Sequence, residues 1–264
     1  MSLPVFYTDP QLVATATSGA TLSFEGPEAR HALTVTRHGI GDQILLASGQ
    51  GTLLRTEITT VVGKDACQVL VHEVIEAPRP RPEVTIVQAL PKSERSELAV
   101  DLAVQAGADA IIPWQADRCI AKWTGKKAEK GREKWETMAT QAARQSRRPF
   151  IPPVHAVVDT KALCRMLSSR AEELQAEGKK LLITVLHEDA RRPFKDYPFE
   201  SMDEVIMIIG PEGGIGAEEL ERLENAGATA IRLGPEVLRT ATAAAIGLAA
   251  LGVRTSRWDM IDNN

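Results

Sequence analysis

The sequence has few cysteines, and none of them are close together. Cys67, Cys119 and Cys164 lie far apart in a chain of 264 residues. Zinc sites, redox motifs and disulfide frameworks need closely spaced or paired cysteines, so neither a disulfide framework nor a metal site is expected. The sequence also has no internal repeat and no low-complexity tract. An ordinary folded protein without a bound metal is the simplest interpretation.

Targeting and membrane signals are also missing. The first ten residues contain no basic stretch followed by an apolar one, which argues against a secretory signal. The most apolar late stretch, residues 241–253, is too short to span a bilayer and is mostly alanine and glycine. These features favour a tightly packed helix and a cytoplasmic protein.

What the chain has is enough apolar sequence for a sizeable core and one strongly basic segment. Its hydrophobic content of 44% over 264 residues suits one large or two modest domains. The net charge is -4, yet ten basic and three acidic residues lie between Arg118 and Arg148. A basic segment in an acidic protein is typical of polyanion binding, although a solvated helix face would look the same.

A proline-rich stretch divides the sequence. Residues 76–83 (EAPRPRPE) contain three prolines and are predicted to form a linker. Before it, strand-like runs at 42–47, 53–62 and 68–75 predict a small β-rich domain over residues 1–75. After it, strands alternate with helices over residues 84–264, which predicts an α/β domain with a mostly parallel sheet.

Two glycine-containing loops follow strands in this second domain. The first, GPEGGIG at 210–216, fits neither the dinucleotide fingerprint nor the P-loop. The second, LGPEVLRT at 233–240, leads into the alanine-rich helix. We expect the two preceding strands to be neighbours, so that their carboxyl ends place both loops side by side. We expect a pocket of backbone groups there, suited to an adenine and an amino-acid moiety.

These loops resemble a known family. They are similar to those of the knotted SPOUT methyltransferases, in particular the RsmE-type 16S ribosomal RNA uridine N3 methyltransferases. Further stretches that resemble this family are HALTVTRHGIGD (31–42), QALPKSERSELAVDLAVQAGADAIIPW (88–114), KWETMATQAARQSRR (134–148) and VLHEDA (185–190). The family commonly has glutamate where this chain has Ala241, so we expect no polar catalytic role at that position.

The resemblance implies a fold and an activity. The fold is an N-terminal PUA-like RNA-binding β-barrel followed by a C-terminal SPOUT α/β domain with a deep trefoil knot. Periodicity alone predicts an unknotted sheet, because ordinary topology rules exclude knots. The implied enzyme is a homodimer that uses S-adenosylmethionine to methylate N3 of one specific uridine in 16S ribosomal RNA of the small subunit. No membrane partner is implied.

The resemblance also selects site residues. Those expected to bind the cofactor are Leu186, His187, Gly210, Glu212, Gly213, Leu233, Gly234, Leu238, Arg239 and Thr240. For catalysis, Arg239 is expected to stabilise charge on the uracil, and either Glu212 or His187 to accept the N3 proton. An equal alternative for Glu212 is to complement the positive charge of the sulfonium. The β-rich domain and the basic segment, rather than the resemblance, supply the residues expected to contact RNA phosphates: Arg30, Arg37, Arg118, Lys122, Arg144, Arg147 and Arg148.

Two other functions are compatible with parts of the sequence. A non-catalytic RNA-binding ribosome-assembly factor of the same fold is favoured by Ala241. A nucleotide-dependent oxidoreductase would need its glycine fingerprint after an early strand, and residues 84–93 contain no glycine.

Overall fold

The computed structural model describes residues 3–92 and 95–259. The chain forms two units, one comprising Met1–Arg79 and Ala143–Ile151, the other Pro80–Ala142 and Pro152–Asn264. The segment Ala143–Ile151, which contains the last three arginines of the basic segment, therefore belongs to the first unit.

Five strands form the sheet of the first unit. They are β1 (Val5–Tyr7), β2 (Thr21–Glu25), β3 (Gln43–Ala47), β4 (Thr52–Val61) and β5 (Ala66–Glu76). Their order is β1-β3-β4-β5-β2, with β1 parallel to β3 and the other pairs antiparallel. The strands predicted at 42–47, 53–62 and 68–75 are confirmed as β3, β4 and β5, whereas β1 and β2 were not predicted.

The core of this unit follows from alternation along its strands. Ile44 and Leu46 in β3 and Val69 and Val71 in β5 are buried, because alternate residues of a strand face the same side. Two short helices, α1 (Pro10–Ala14) and α2 (Pro27–Arg30), accompany the sheet. The helix α2 is short because the chain passes from it into a π-helical turn that ends at Val35.

The segment 143–151 joins the first unit through backbone hydrogen bonds. The amide of Gly51 donates to the carbonyl of Pro149 at 3.1 Å, and the amide of Ile151 donates to the carbonyl of Gly49 at 2.9 Å. Both glycines have positive φ angles, and a Cβ on Gly51 would lie 2.5 Å from the Phe150 ring. Glycine at these positions is therefore what admits the returning segment.

The second unit alternates strands and helices, as predicted. Its strands are β6 (Glu83–Ala89), β7 (Ala110–Gln115), β8 (Val158–Asp159), β9 (Leu181–Leu186), β10 (Glu204–Ile209) and β11 (Thr229–Ile231). Its helices are α3 (Ser96–Gln105), α4 (Lys126–Gln145), α5 (Thr160–Ala176), α6 (Ala217–Asn225) and α7 (Thr240–Gly252), the last residues of α4 belonging to the first unit.

The six strands form one parallel sheet in the order β11-β9-β10-β6-β7-β8. Every residue of β10 is buried, as expected for a central strand covered on both faces. The alanine-rich α7 packs against α3, β6 and β10. A Cβ on Gly247 would lie 2.6 Å from the Met207 sulfur, so glycine is what lets α7 approach the sheet this closely.

A buried ion pair lies near the first strand of the second unit, β6. Asp109 and Arg257 lie 2.7 Å apart, and their side chains are 5% and 4% exposed. Asp109 also accepts a hydrogen bond from the amide of Val84, and Arg257 donates to the carbonyls of Pro82 and Gly107. The pair thus ties the residues after α7 to the start of β6.

Three further observations concern membrane-spanning helices, metal ligands and cysteines. Within residues 3–92 and 95–259, no helix combines the length and apolar character needed to cross a bilayer. In the same residues, no three His, Cys, Asp or Glu side chains are grouped to hold a metal ion. Cys67, Cys119 and Cys164 are free thiols, and burial raises the pKa of each.

We predict that Asp109→Ala lowers the free energy of unfolding by about 3–5 kcal/mol, because it leaves the buried Arg257 guanidinium without its carboxylate. The matched control is Glu136→Ala, which breaks the exposed ion pair with Arg132 on α4. The control should cost no more than about 0.5 kcal/mol. Urea unfolding followed by circular dichroism measures both, and equal losses would show that the buried pair is not a structural tie.

Candidate functional site

Three strands of the second unit end at one edge of the sheet. They are β9, β10 and β11, ending at Leu186, Ile209 and Ile231. The prediction that β10 and β11 are neighbours is wrong, because β9 lies between them and pairs with both. All three strands run parallel, so their carboxyl ends still converge, and β9 contributes a third loop between the two predicted ones.

A cleft of about 340 Å³ lies among the loops that follow these strands. Nine of the ten residues expected to bind a cofactor line it: Leu186, His187, Gly210, Glu212, Leu233, Gly234, Leu238, Arg239 and Thr240. Gly213 does not line the cleft. All three residues expected to act in catalysis, His187, Glu212 and Arg239, are in the lining.

The glycine-rich loop 210–216 forms a tight turn at one wall of the cleft. The amide of Gly214 donates to the carbonyl of Pro211 at 2.9 Å, and Gly214 has a φ of +71°, in the region that favours glycine. Ile215 is buried beneath Gly210, where a Cβ would lie 2.9 Å from its side chain. The loop therefore needs glycine both for its conformation and for its packing.

Glu212 is anchored by a residue outside its own loop. Its Oε1 accepts a hydrogen bond from the backbone amide of Lys92 at 3.1 Å. Lys92 follows β6, the strand next to β10. Glu212 is otherwise exposed, so its second carboxylate oxygen remains open to solvent or to a bound molecule.

The opposite loop, residues 232–239, is shaped by Arg232. Its side chain donates to the carbonyls of Gly234 at 3.0 Å and Pro235 at 3.3 Å. Its backbone pairs with the segment after β9, since Arg232 donates to the carbonyl of Arg192 and accepts from the amide of Phe194. This loop then passes into α7, which begins at Thr240.

A hydrogen bond also fixes the His187 ring. Its Nδ1 lies 3.2 Å from the backbone amide of Asp189 and accepts from it. The neutral ring therefore carries its proton on Nε2, which is then a donor. Its backbone amide donates to the carbonyl of Ile231, which links β9 to β11 at the cleft. This arrangement suits His187 for donating a hydrogen bond better than for accepting a proton.

The lining contains more charged residues than the resemblance implies. Four charged residues that were not predicted also line the cleft. They are Glu188, Arg232, Glu236 and Arg95. Arg95 follows the end of β6 and so lies at the same edge of the sheet. Residues beyond the carboxyl ends of parallel strands are the ones expected to line a ligand site. The lining thus combines three arginines with three glutamates, His187 and apolar side chains.

The residues expected to contact RNA are divided between the units. In the first unit, Arg30, Arg37 and Arg147 are exposed and Arg144 and Arg148 are half-buried. The side chain of Arg144 forms a hydrogen-bonded ion pair with Glu28, so its guanidinium already has a carboxylate partner.

In the second unit, Arg118 and Lys122 are exposed. Arg118 donates from Nη1 to the carbonyl of Gly213 at 3.2 Å. This guanidinium therefore contacts the glycine-rich loop directly, a contact that the charge pattern did not predict.

Comparison with known proteins shows to which class of protein this fold and cleft belong. The profile of a family described as an RNA methyltransferase domain matches residues 78–252, more than half of the chain. The Ribosomal RNA small subunit methyltransferase E of Mycobacterium bovis is 47% identical over 242 residues, covering 92% of this chain and 90% of that protein. Its counterpart in Bacillus subtilis is 32% identical over 243 residues, covering 89% and 91%.

Solved structures share the fold. A Ribosomal RNA small subunit methyltransferase E from Neisseria gonorrhoeae, bound to S-adenosyl methionine, matches with a TM-score of 0.80 at 23% identity, covering 96% of this chain and 98% of that one. A Legionella pneumophila protein in complex with the same cofactor matches with a TM-score of 0.77 at 26% identity, covering 97% and 99%. The chain belongs to the RsmE family of ribosomal RNA methyltransferases.

Proposed function

We propose that this protein uses S-adenosylmethionine to methylate N3 of one specific uridine in 16S ribosomal RNA of the small subunit. The observation that carries the proposal is the cleft where β9, β10 and β11 end, because nine of the ten residues expected to bind the cofactor line it. The Legionella structure, which contains this cofactor, is similar over nearly the whole chain and so supports the proposal.

The residues of the cleft fit the cofactor chemically. Leu186, Leu233 and Leu238 offer apolar contact for an adenine, and the glycine loops bring backbone groups close to the ligand. The cofactor carries a positive sulfonium, and Glu188, Glu212 and Glu236 supply negative charge in the lining. When bound, the cofactor supplies a methyl group that needs no activation beyond alignment with its acceptor.

The chain's own residues must manage one proton and one developing charge. Uracil N3 is protonated at neutral pH, and its deprotonation spreads negative charge onto the two neighbouring carbonyl oxygens. Arg239 is the proposed group that stabilises that charge. Glu212 is the proposed proton acceptor, since its second oxygen is open, whereas the Nδ1 lone pair of His187 accepts from Asp189.

We extend the proposal to a trefoil knot in the second unit. Two contacts support it. Residue 232 pairs with the segment 192–194, and Arg254, which follows α7, donates to the carbonyls of Phe194 and Lys195. The chain on both sides of α7 is thus attached to the loop between β9 and β10. We also propose that the protein is a homodimer, as the family resemblance implies.

RNA binding is assigned to the first unit as a PUA-like barrel and to the basic stretch. The five-stranded antiparallel sheet with one parallel edge supports the first assignment. Exposed Arg30, Arg37 and Arg147 are the proposed phosphate contacts in that unit. The target base must be unpaired or extruded, because N3 lies on the pairing edge.

The alternative, a non-catalytic assembly factor of the same fold, rests on Ala241. Ala241 is 2% exposed and is not part of the cleft lining, which contains its neighbour Thr240. Alanine at this position therefore leaves in place all the residues to which the proposed mechanism assigns a role, Arg239, Glu212 and His187. This favours the enzyme over the assembly factor.

We predict that the purified protein transfers a methyl group from S-adenosylmethionine to small ribosomal subunits isolated from cells that lack this protein. Mass spectrometry of the digested RNA should then show N3-methyluridine at a single position. Subunits that already carry the modification are the control and should accept no methyl group. Absence of transfer by folded protein would favour the assembly factor, and methylation at another atom would contradict the proposed specificity.

We predict that Arg239→Ala lowers the rate of methyl transfer by about a hundredfold, the usual effect of removing one charge-stabilising donor. The control is Arg165→Ala, an exposed arginine on α5, which should retain full activity. Single-turnover rates with saturating cofactor and subunits measure the chemical step. Normal rates in Arg239→Ala would exclude the proposed role.

A further inference from the structure

A buried carboxylate lies next to the glycine-rich loop, and the mechanism above does not use it. Glu219 is in the first turn of α6 and is 1% exposed. Burying a carboxylate is costly unless its oxygens are hydrogen-bonded. One oxygen, Oε1, has two partners, but Oε2 is buried and has no hydrogen-bond partner among the described residues. Stability alone does not explain a glutamate at this position.

The hydrogen bonds of Glu219 connect three elements. Its Oε1 accepts from the hydroxyl of Thr160, the first residue of α5, at 2.5 Å. The same hydroxyl accepts from the indole N–H of Trp114, near the end of β7, at 3.2 Å. Oε1 also accepts from the backbone amide of Asp117 at 2.9 Å. Glu219 therefore fixes the turn that follows β7 relative to α5 and α6.

The residue after Asp117 is Arg118, which lies directly against the glycine-rich loop. Its Nη1 donates to the carbonyl of Gly213 at 3.2 Å. A Cβ on Gly213 would lie 3.2 Å from the Cβ and from the carbonyl oxygen of Arg118, and one on Gly216 would lie 3.4 Å from its Nη2. The stem and the guanidinium of Arg118 thus contact the side of the loop that does not face the cleft.

We propose that Glu219 is a positioning residue for the cofactor loop, acting through Arg118. Glu219 holds the amide of Asp117, this fixes Arg118, and Arg118 supports the turn that presents Gly210, Glu212 and Gly214 to the cleft. The role of the loop in binding S-adenosylmethionine rests on the proposed function. The support of the loop itself does not, since it follows from contacts within the chain.

Arg118 was expected to contact RNA phosphate, and the two roles make different predictions. A phosphate contact affects RNA binding and leaves the affinity for the cofactor alone unchanged. A support for the loop changes cofactor affinity in the absence of RNA. Asp117 also forms an ion pair with Arg222 on α6. This pair contributes little to fixing the turn, because both side chains are exposed to solvent.

The test uses the full-length protein without RNA and titrates S-adenosylmethionine by calorimetry. Arg118→Ala removes the charged hydrogen bond to Gly213, and Glu219→Leu removes the group that positions Arg118, so each should weaken binding by about tenfold. Glu219→Gln keeps an oxygen that accepts from Asp117 and Thr160, so it should bind within about threefold of wild type. The control, Glu221→Leu, replaces an exposed glutamate on the same helix and should bind normally.

The double variant decides whether the two residues act together. If Glu219 acts through Arg118, combining Arg118→Ala with Glu219→Leu should weaken binding no further than either change alone. Multiplying losses would contradict the proposal, and so would wild-type affinity in Arg118→Ala. Arg118 is exposed, so Arg118→Ala still tests whether this side chain supports the loop if Glu219→Leu fails to fold.

A second readout separates this proposal from the proposed function. Hydrogen exchange of the ligand-free protein should be faster across residues 210–216 in Arg118→Ala, with the exchange of β10 unchanged. Unchanged exchange in the loop would overturn the positioning role. Failure of the wild-type protein to bind S-adenosylmethionine would instead overturn the proposed function, while the exchange experiment would still report on the support of the loop.

Discussion

The site depends on the parallel direction of three strands. Because β9, β10 and β11 run the same way, their carboxyl ends meet at one edge, and the loops that follow them enclose a single cleft. Gly210, Gly214 and Gly234 are among the lining residues, and at these positions there is no side chain between the backbone and the cleft. The close packing of α7 against β10 holds the loop 232–239, which precedes α7, near the sheet.

Much of the second unit is predictable from local sequence. The loop 210–216 is predictable because four glycines follow an apolar strand. The helix that begins at Thr240 is predictable because a run of small residues follows a loop. The order of the strands has no such signal. Periodicity shows that 181–186 and 204–209 are strands, but the position of β9 between β10 and β11 is set by long-range packing. The family resemblance predicted nine residues that line the cleft, whereas the prediction that β10 and β11 are adjacent was wrong.

Other features were hidden for a related reason. Glu219 lies in AEELERLEN four residues before the buried Leu223, so the spacing places it on the apolar face of the helix, but a glutamate is ordinarily exposed and gives no sign of burial by itself. Its burial is produced by Thr160 and by the turn around Asp117, which are distant in sequence. The return of residues 143–151 to the first unit likewise depends on Gly49 and Gly51, about a hundred residues earlier. Charge counting placed Arg118 among RNA contacts because it takes no account of such packing.

The account's central claim is that the loops after β9, β10 and β11 together bind the methyl donor. A crystal structure of the protein with S-adenosylhomocysteine tests this most directly. We predict that the ligand lies between residues 210–215 and 233–239, in contact with backbone groups of both loops and with Leu186. Ligand bound elsewhere on the protein, or contacting only one of the two loops, would contradict the claim.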